Sequence, residues 1–168
     1  LKFAKTYRSL NKITKPNLSD VIVIDLFENI KTLMLPSLKN KDIELHFEIE
    51  NPNLKIEIDA YLIEQVLINV ILNSVEACKD VEHPKITLSA QKNIEGKPII
   101  KIMDNGKGIP NEIIDDVFIP FFSTKKSGSG IGLSLCKQIM LLHKGKIQVK
   151  SIEKKGTVIS LIFYEFKK

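Results

Sequence analysis

The sequence has 168 residues, 43% of them hydrophobic and 27% charged, which suits one packed domain and excludes a disordered charged tail. Twenty-five Lys and Arg against 20 Asp and Glu leave a net charge of +5 with no concentrated basic stripe, so a nucleic-acid surface is not expected. Two cysteines, Cys78 and Cys136, exclude a disulfide framework and a four-cysteine zinc site and suit a reducing cytoplasm. No apolar run approaches the roughly 18 residues of a membrane span, and no secretory signal opens the chain. The first residue is Leu1 rather than Met, and the expectation is a fragment of a longer protein.

Residues 1–19 are polar and basic, with Pro16 and Asn17 breaking any helix, and are expected to form a linker before a folded domain at 20–168. Asp25 is a candidate N-cap for a helix with Leu26, Ile30 and Leu33 on one face. Alternation from Ile43 to Ile49 predicts a strand. Lys55–Ile58 predicts a second, across an Asn51-Pro52-Asn53 turn. Asp59 opens a long helix over 59–80, whose apolar face is Leu62, Val66, Leu67, Val70, Ile71 and Val75. Residues 85–90 and 99–103 predict a hairpin of strands. Residues 104–130 are glycine-rich with little periodicity. A helix over 130–142 and two strands, 145–151 and 157–163, complete the chain. The pattern is α+β, with helices on one face of a largely antiparallel sheet.

Three constellations carry chemistry. Gln65, Asn69, Asn73 and Ala77 lie four apart, on one face of the long helix, with Glu76 beside them. Asn is a poor helix former, and its amide oxygen suits a hard cation such as Mg²⁺ shared with phosphates; a solvated helix face is the bland alternative. Next, Asp104 ends an apolar strand and is followed by Gly106 and Gly108. A carboxylate there accepts a hydrogen bond, for instance from an exocyclic amine, and repels phosphate; an ordinary turn is the alternative. Last, Gly128, Gly130 and Gly132 run into an apolar helix behind Lys125 and Lys126, so exposed amides and positive charge face an anion, unless this is a plain flexible loop. Neither a P-loop nor a dinucleotide fingerprint is present. Between the last two, Phe118, Phe121 and Phe122 read as a buried anchor or a hinged lid.

In this order and spacing the motifs resemble the N box, first glycine box, phenylalanine box and second glycine box of the ATP-binding domain of sensor histidine kinases. The wider superfamily includes DNA gyrase and MutL. The resemblance covers about residues 20–165. It implies a Bergerat-type two-layer α/β sandwich with a mixed, mostly antiparallel sheet, and ATP and Mg²⁺ as cofactors. It also implies the roles. Asn69 and Asn73 are the catalytic pair, with Asn73 on the metal and Asn69 near the phosphates. Glu76 and Ala77 continue that box at the nucleotide. Asp104 binds the adenine amino group, supported by Thr157. Gly106, Gly108 and Ile109 approach the nucleotide. Phe121, Thr124, Lys125, Gly128, Gly130, Ile131, Gly132 and Leu133 form the lid and triphosphate side.

The resemblance further implies transfer of the γ-phosphate to a His on a separate helical hairpin of the same parent, of which residues 1–19 are a remnant or the connecting linker. None of His46, His83 and His143 stands in an acceptor context, and His143 is expected at a helix end where partial positive charge suits the dipole. The superfamily's ATPases carry a Glu base one turn before the metal Asn. Here that position is Asn69, so weak hydrolysis is expected. Glu76 departs from the Lys or Arg of many sensor kinases, and the lid is short. The implied partners are the hairpin and a downstream response regulator, with no nucleic acid and no membrane contact by this piece. The piece is expected to be a monomer from a homodimeric parent, on the cytoplasmic side with or without a membrane anchor. The alternatives are a superfamily ATPase, a serine-directed anti-sigma-type kinase, and a scaffold that has lost catalysis.

Overall fold

A computed structural model describes residues 15–124 and 128–164. Strand β1 (Ser19–Ile22) leads into helix α1 (Val23–Lys39), followed by β2 (Glu44–Ile49) and β3 (Lys55–Ile58). Helix α2 (Ala60–Ala77) comes next, then β4 (Lys85–Lys92), β5 (Pro98–Asp104) and a 3-10 segment (Asn111–Asp116). Helix α3 (Gly132–Leu142) precedes β6 (Lys146–Ile152) and β7 (Gly156–Ile162). The main sheet runs β2-β4-β5-β7-β6; β2 and β4 are parallel and the other pairs antiparallel. The α+β class with a mixed, mostly antiparallel sheet is therefore as expected.

Two details of the first helix differ from the sequence reading. Asp25 lies inside the first turn, and the cap position belongs to Ile22, which has no side-chain cap bond. Leu33 is 57% exposed, because the buried stripe runs through Phe27, Ile30, Met34 and Leu38 instead. The polar stretch before α1 also contains a short strand: β1 pairs antiparallel with β3 as a separate ribbon, and the Asn17 amide donates to Asp59 Oδ2. Four residues, two exposed and then two half-buried, offer no alternation to reveal it.

Asp59 does cap α2, its carboxylate accepting from Leu62 N–H at 3.1 Å. The helix buries Leu62, Ile63, Val66, Leu67, Val70 and Ile71 against the sheet. Facing them are Ile86 and Leu88 of β4, Ile100 and Ile102 of β5, and Ile159 and Leu161 of β7, all in one cluster. Side chains alternate along a strand, so the parity that buries Ile100 and Ile102 also turns Asp104 toward the helices. The register extends this position across the sheet: Ile86 pairs with Asp104, Asp104 with Thr157, and Thr157 with Ser151. One end of the hydrophobic layer is thus a row with three polar members, set beside the C-terminal half of α2.

Candidate functional site

Asp104 is the centre of that row. Its Oδ2 accepts from Ser74 Oγ at 2.8 Å, and its Oδ1 from Gly106 N–H at 2.9 Å. Burial pushes its carboxyl above the usual range, while the Ser74 hydroxyl and the Gly106 and Thr157 amides pull the other way. Ser74 stands on α2 immediately after Asn73, so the helix that carries the two asparagines also grips the carboxylate. The loop is fastened to the same helix again: Lys107 N–H donates to the Ala77 carbonyl at 2.9 Å. A Cβ on Gly106 would come within 2.7 Å of Ala77, which explains why that position is glycine. Gly108 has φ +69°, and a Cβ there would meet the Ile152 carbonyl at 2.2 Å. These two glycines thus serve contacts within the protein itself.

Next to Asp104, Thr157 Oγ1 lies 2.8 Å from Ser151 Oγ, which also accepts from Ile109 N–H at 2.8 Å. Asn105 faces the other way. Its side-chain oxygen accepts from Lys85 N–H and its amide donates to the His83 carbonyl, both at 2.8 Å, so it closes the α2–β4 loop onto the site.

Half-buried Asn69 reaches toward α3, where its side chain hydrogen-bonds the Cys136 thiol. Burial pushes that thiol up to about 12, and it pushes Cys78 up to about 11, so both cysteines are held as neutral thiols. Asn73 is half-buried one turn further along α2. Among the described residues no three His, Cys, Asp or Glu side chains converge on a possible metal position. A cation here would be held by amide oxygen and by whatever oxygens its ligand brings, a set that fits Mg²⁺ shared with phosphates.

Phe121 N–H donates to the Gly130 carbonyl at 2.9 Å, which closes the base of the 121–130 loop. Phe121 itself is 72% exposed, whereas Phe118 packs against the core. Buried Ile131 starts α3, and its carbonyl accepts from the Ser134 hydroxyl and the Leu135 amide. A Cβ on Gly132 would meet nothing within 4 Å among the described residues. Gly128 and Thr124 are exposed, Leu133 is half-buried, and Glu76 stays exposed on α2. Lys125 lies outside the described residues.

The structure therefore joins Asp104 and Gly106 to the end of α2, Gly108, Ile109 and Thr157 to the end of β6, and Asn69 to α3. Ser74 and Ser151 were missed by sequence reading. Their signal was a small polar residue on an apolar stripe: Ser74 follows Leu67, Val70 and Ile71 on the buried face, and Ser151 follows Ile147 and Val149. His143 also corrects expectation. It is buried, its Nδ1–H donates to the Ile139 carbonyl, and its Nε2 accepts from Asp59 N–H, so it is neutral rather than a positive helix end.

Residues 58–167, more than half of the chain, match the family model described as histidine kinase-, DNA gyrase B-, and HSP90-like ATPase. The chain belongs to this family. Within it, the chain is 36% identical over 125 residues to sporulation kinase D of Bacillus subtilis, covering 74% of this chain and 24% of that kinase. It is 34% identical to the sensor histidine kinase ZraS of Salmonella typhi, covering 86% and 30%. The chain thus spans about a quarter to a third of the length of these relatives. Among solved structures, the catalytic domain of histidine kinase ThkA, free of nucleotide, superposes with a TM-score of 0.78 at 31% identity, covering 88% of this chain and 95% of that one. ThkA in complex with the response regulator TrrA gives 0.76 at 26%, covering 96% and 47%. Full-length ShkA in complex with AMPPNP shares the fold, with 0.78 at 22%, covering 89% and 31%. No helix among the described residues is long and apolar enough to cross a membrane.

Proposed function

We propose that the chain is the catalytic ATP-binding domain of a two-component sensor histidine kinase, which presents the γ-phosphate of Mg²⁺·ATP to a histidine on a separate helical hairpin. The observation that carries this reading is the Asp104 carboxylate, turned into the layer between sheet and helices and held by Ser74 and Gly106. A buried carboxylate with fixed partners has acceptor capacity left for an exocyclic amine. The asparagine ladder beside it suits the phosphate end. Bound Mg²⁺ would neutralise charge on the β- and γ-phosphates, with Asn73 as its protein ligand. Asn69 would stand near the phosphates, and the amides at the start of α3, with Gly128, Gly130 and Gly132, would face the triphosphate. Lys125 and Thr124 would close over it from the lid.

Catalysis in this reading is placement and electrostatics, with the attacking imidazole supplied from outside. Residues 1–19 would connect to that hairpin, and a response regulator would take the phosphoryl group onward, as the ThkA–TrrA complex suggests by analogy. A cytoplasmic position follows from ATP as substrate. Asn69 supports a kinase over a hydrolase, because a neutral amide cannot take a proton from water at pH 7.

Calorimetric titration with ATP and with GTP, each with and without Mg²⁺, tests this directly. Saturable binding that prefers ATP, with a Mg²⁺ dependence lost in Asn73→Ala, is expected. No binding at millimolar ATP would overturn the proposal. Phosphate release should stay near the uncatalysed rate, and turnover at an ATPase level would remove the kinase assignment.

A further inference from the structure

Ser151 has no part in the roles described so far, yet its hydroxyl is saturated. It donates to the Gly156 carbonyl at 2.8 Å, it accepts from Ile109 N–H at 2.8 Å, and it lies 2.8 Å from Thr157 Oγ1. A hydroxyl has one proton and two lone pairs. A carbonyl oxygen only accepts, so the Ser151 proton belongs to Gly156. An amide only donates, so one lone pair belongs to Ile109. The remaining lone pair faces Thr157, and the Thr157 hydroxyl must therefore donate to it.

This assignment fixes the Thr157 rotor. Its proton points along the row toward Ser151 on β6, so the lone pairs it keeps point away from Ser151, and Asp104 is its direct register partner across β5 and β7. Asp104 offers acceptors as well, its oxygens already receiving Ser74 O–H and Gly106 N–H. Two neighbouring groups in the row thus present only lone pairs.

Resting on the nucleotide reading above, we infer that Ser151 is a specificity-determining positioning residue. By taking the proton of Thr157 it keeps that hydroxyl an acceptor, so the site favours a purine with an exocyclic amine and rejects one with a carbonyl there. Without Ser151, Thr157 is free to rotate and donate to such a carbonyl.

The test compares affinities for ATP and ITP, which carry an amine and a carbonyl at that position and an acceptor and a donor at the neighbouring N1, in the wild type and in variants of this chain. Ser151→Ala should narrow the ATP-over-ITP ratio by roughly three- to tenfold, the size of one neutral hydrogen bond. Ser151→Thr, which keeps the hydroxyl, should restore it. Adding Ser151→Ala to Thr157→Val should narrow the ratio no further, since the relay then has no proton to hold. Ser151→Cys, a weaker donor and acceptor, serves as a second variant if Ser151→Ala does not fold, and should shift the ratio in the same direction. An unchanged ratio with both affinities lowered together would make Ser151 merely structural and overturn the inference. A wild type that binds neither nucleotide would overturn the nucleotide reading itself, a separable result.

Discussion

Burial works against the charge on Asp104, and its hydrogen bonds only partly offset that. A carboxyl whose value is raised in the fold contributes most stability below its ordinary value of 3.8 and loses that contribution as pH rises through the folded value. At neutral pH the ionised group therefore costs stability. Asp104→Asn removes this cost and keeps one oxygen, for the Gly106 N–H, while its NH2 takes the other position and the Ser74 hydroxyl turns to accept from it. The variant should melt no lower than the wild type at pH 7, and its stability advantage should shrink on acidification toward pH 4. Nucleotide affinity should fall roughly ten- to a hundredfold, the size of a hydrogen bond to a charged group. Thermal melts across pH, paired with ATP titration, check both halves. Loss of both stability and affinity would mean that Asp104 is a structural residue rather than a binding one.

At the scale of elements, the site exists because loops are pinned to the ends of regular structure. Gly108 sits on the Ile152 end of β6 with its chain in the left-handed region. Gly108→Ala forces a Cβ into the Ile152 carbonyl, so backbone must move, at a cost of about 1–3 kcal/mol. Chemical denaturation should show that loss, with ATP binding weakened as well because Ile109 and Ser151 shift together. An unchanged midpoint would show that this contact is soft. The same scale explains what could be read from sequence. α2 was legible because six buried side chains recur at helical spacing behind an Asp cap, and Asp104 stood out as a carboxylate ending an apolar strand. β1 was not legible, because a four-residue ribbon strand depends on its partner β3 rather than on its own pattern. The Thr157–Ser151 contact was hidden for a related reason. Register sets it, and register is a property of paired strands. For Gly106 and Gly108 the residue type was legible, but the cause was not, since Ala77 and Ile152 approach them from distant parts of the chain.

Across the whole molecule, one buried imidazole ties together the two helices that frame the site. His143, just past the end of α3, accepts from Asp59 N–H at the start of α2. The Asp59 carboxylate in turn caps α2 and receives the Asn17 amide of the incoming chain. Burial holds the His143 value below its ordinary 6.5, with Ile139 and the charge of Asp59 acting in the opposite direction. Because the folded value is depressed, its contribution is fully present above about pH 6.5 and is lost as pH falls through the folded value. Protonation would also set an N–H at Nε2 against the Asp59 amide, two donors facing each other. Stability should therefore decline as pH drops below the mid-sixes, opposite in slope to the contribution of Asp104 nearer pH 4. His143→Gln should flatten the decline near pH 6 while lowering stability at pH 8, because a flexible amide replaces the imidazole only in part. Denaturation midpoints of both proteins from pH 8 to pH 5 measure this, and parallel curves would show that acid weakens the fold through some other group.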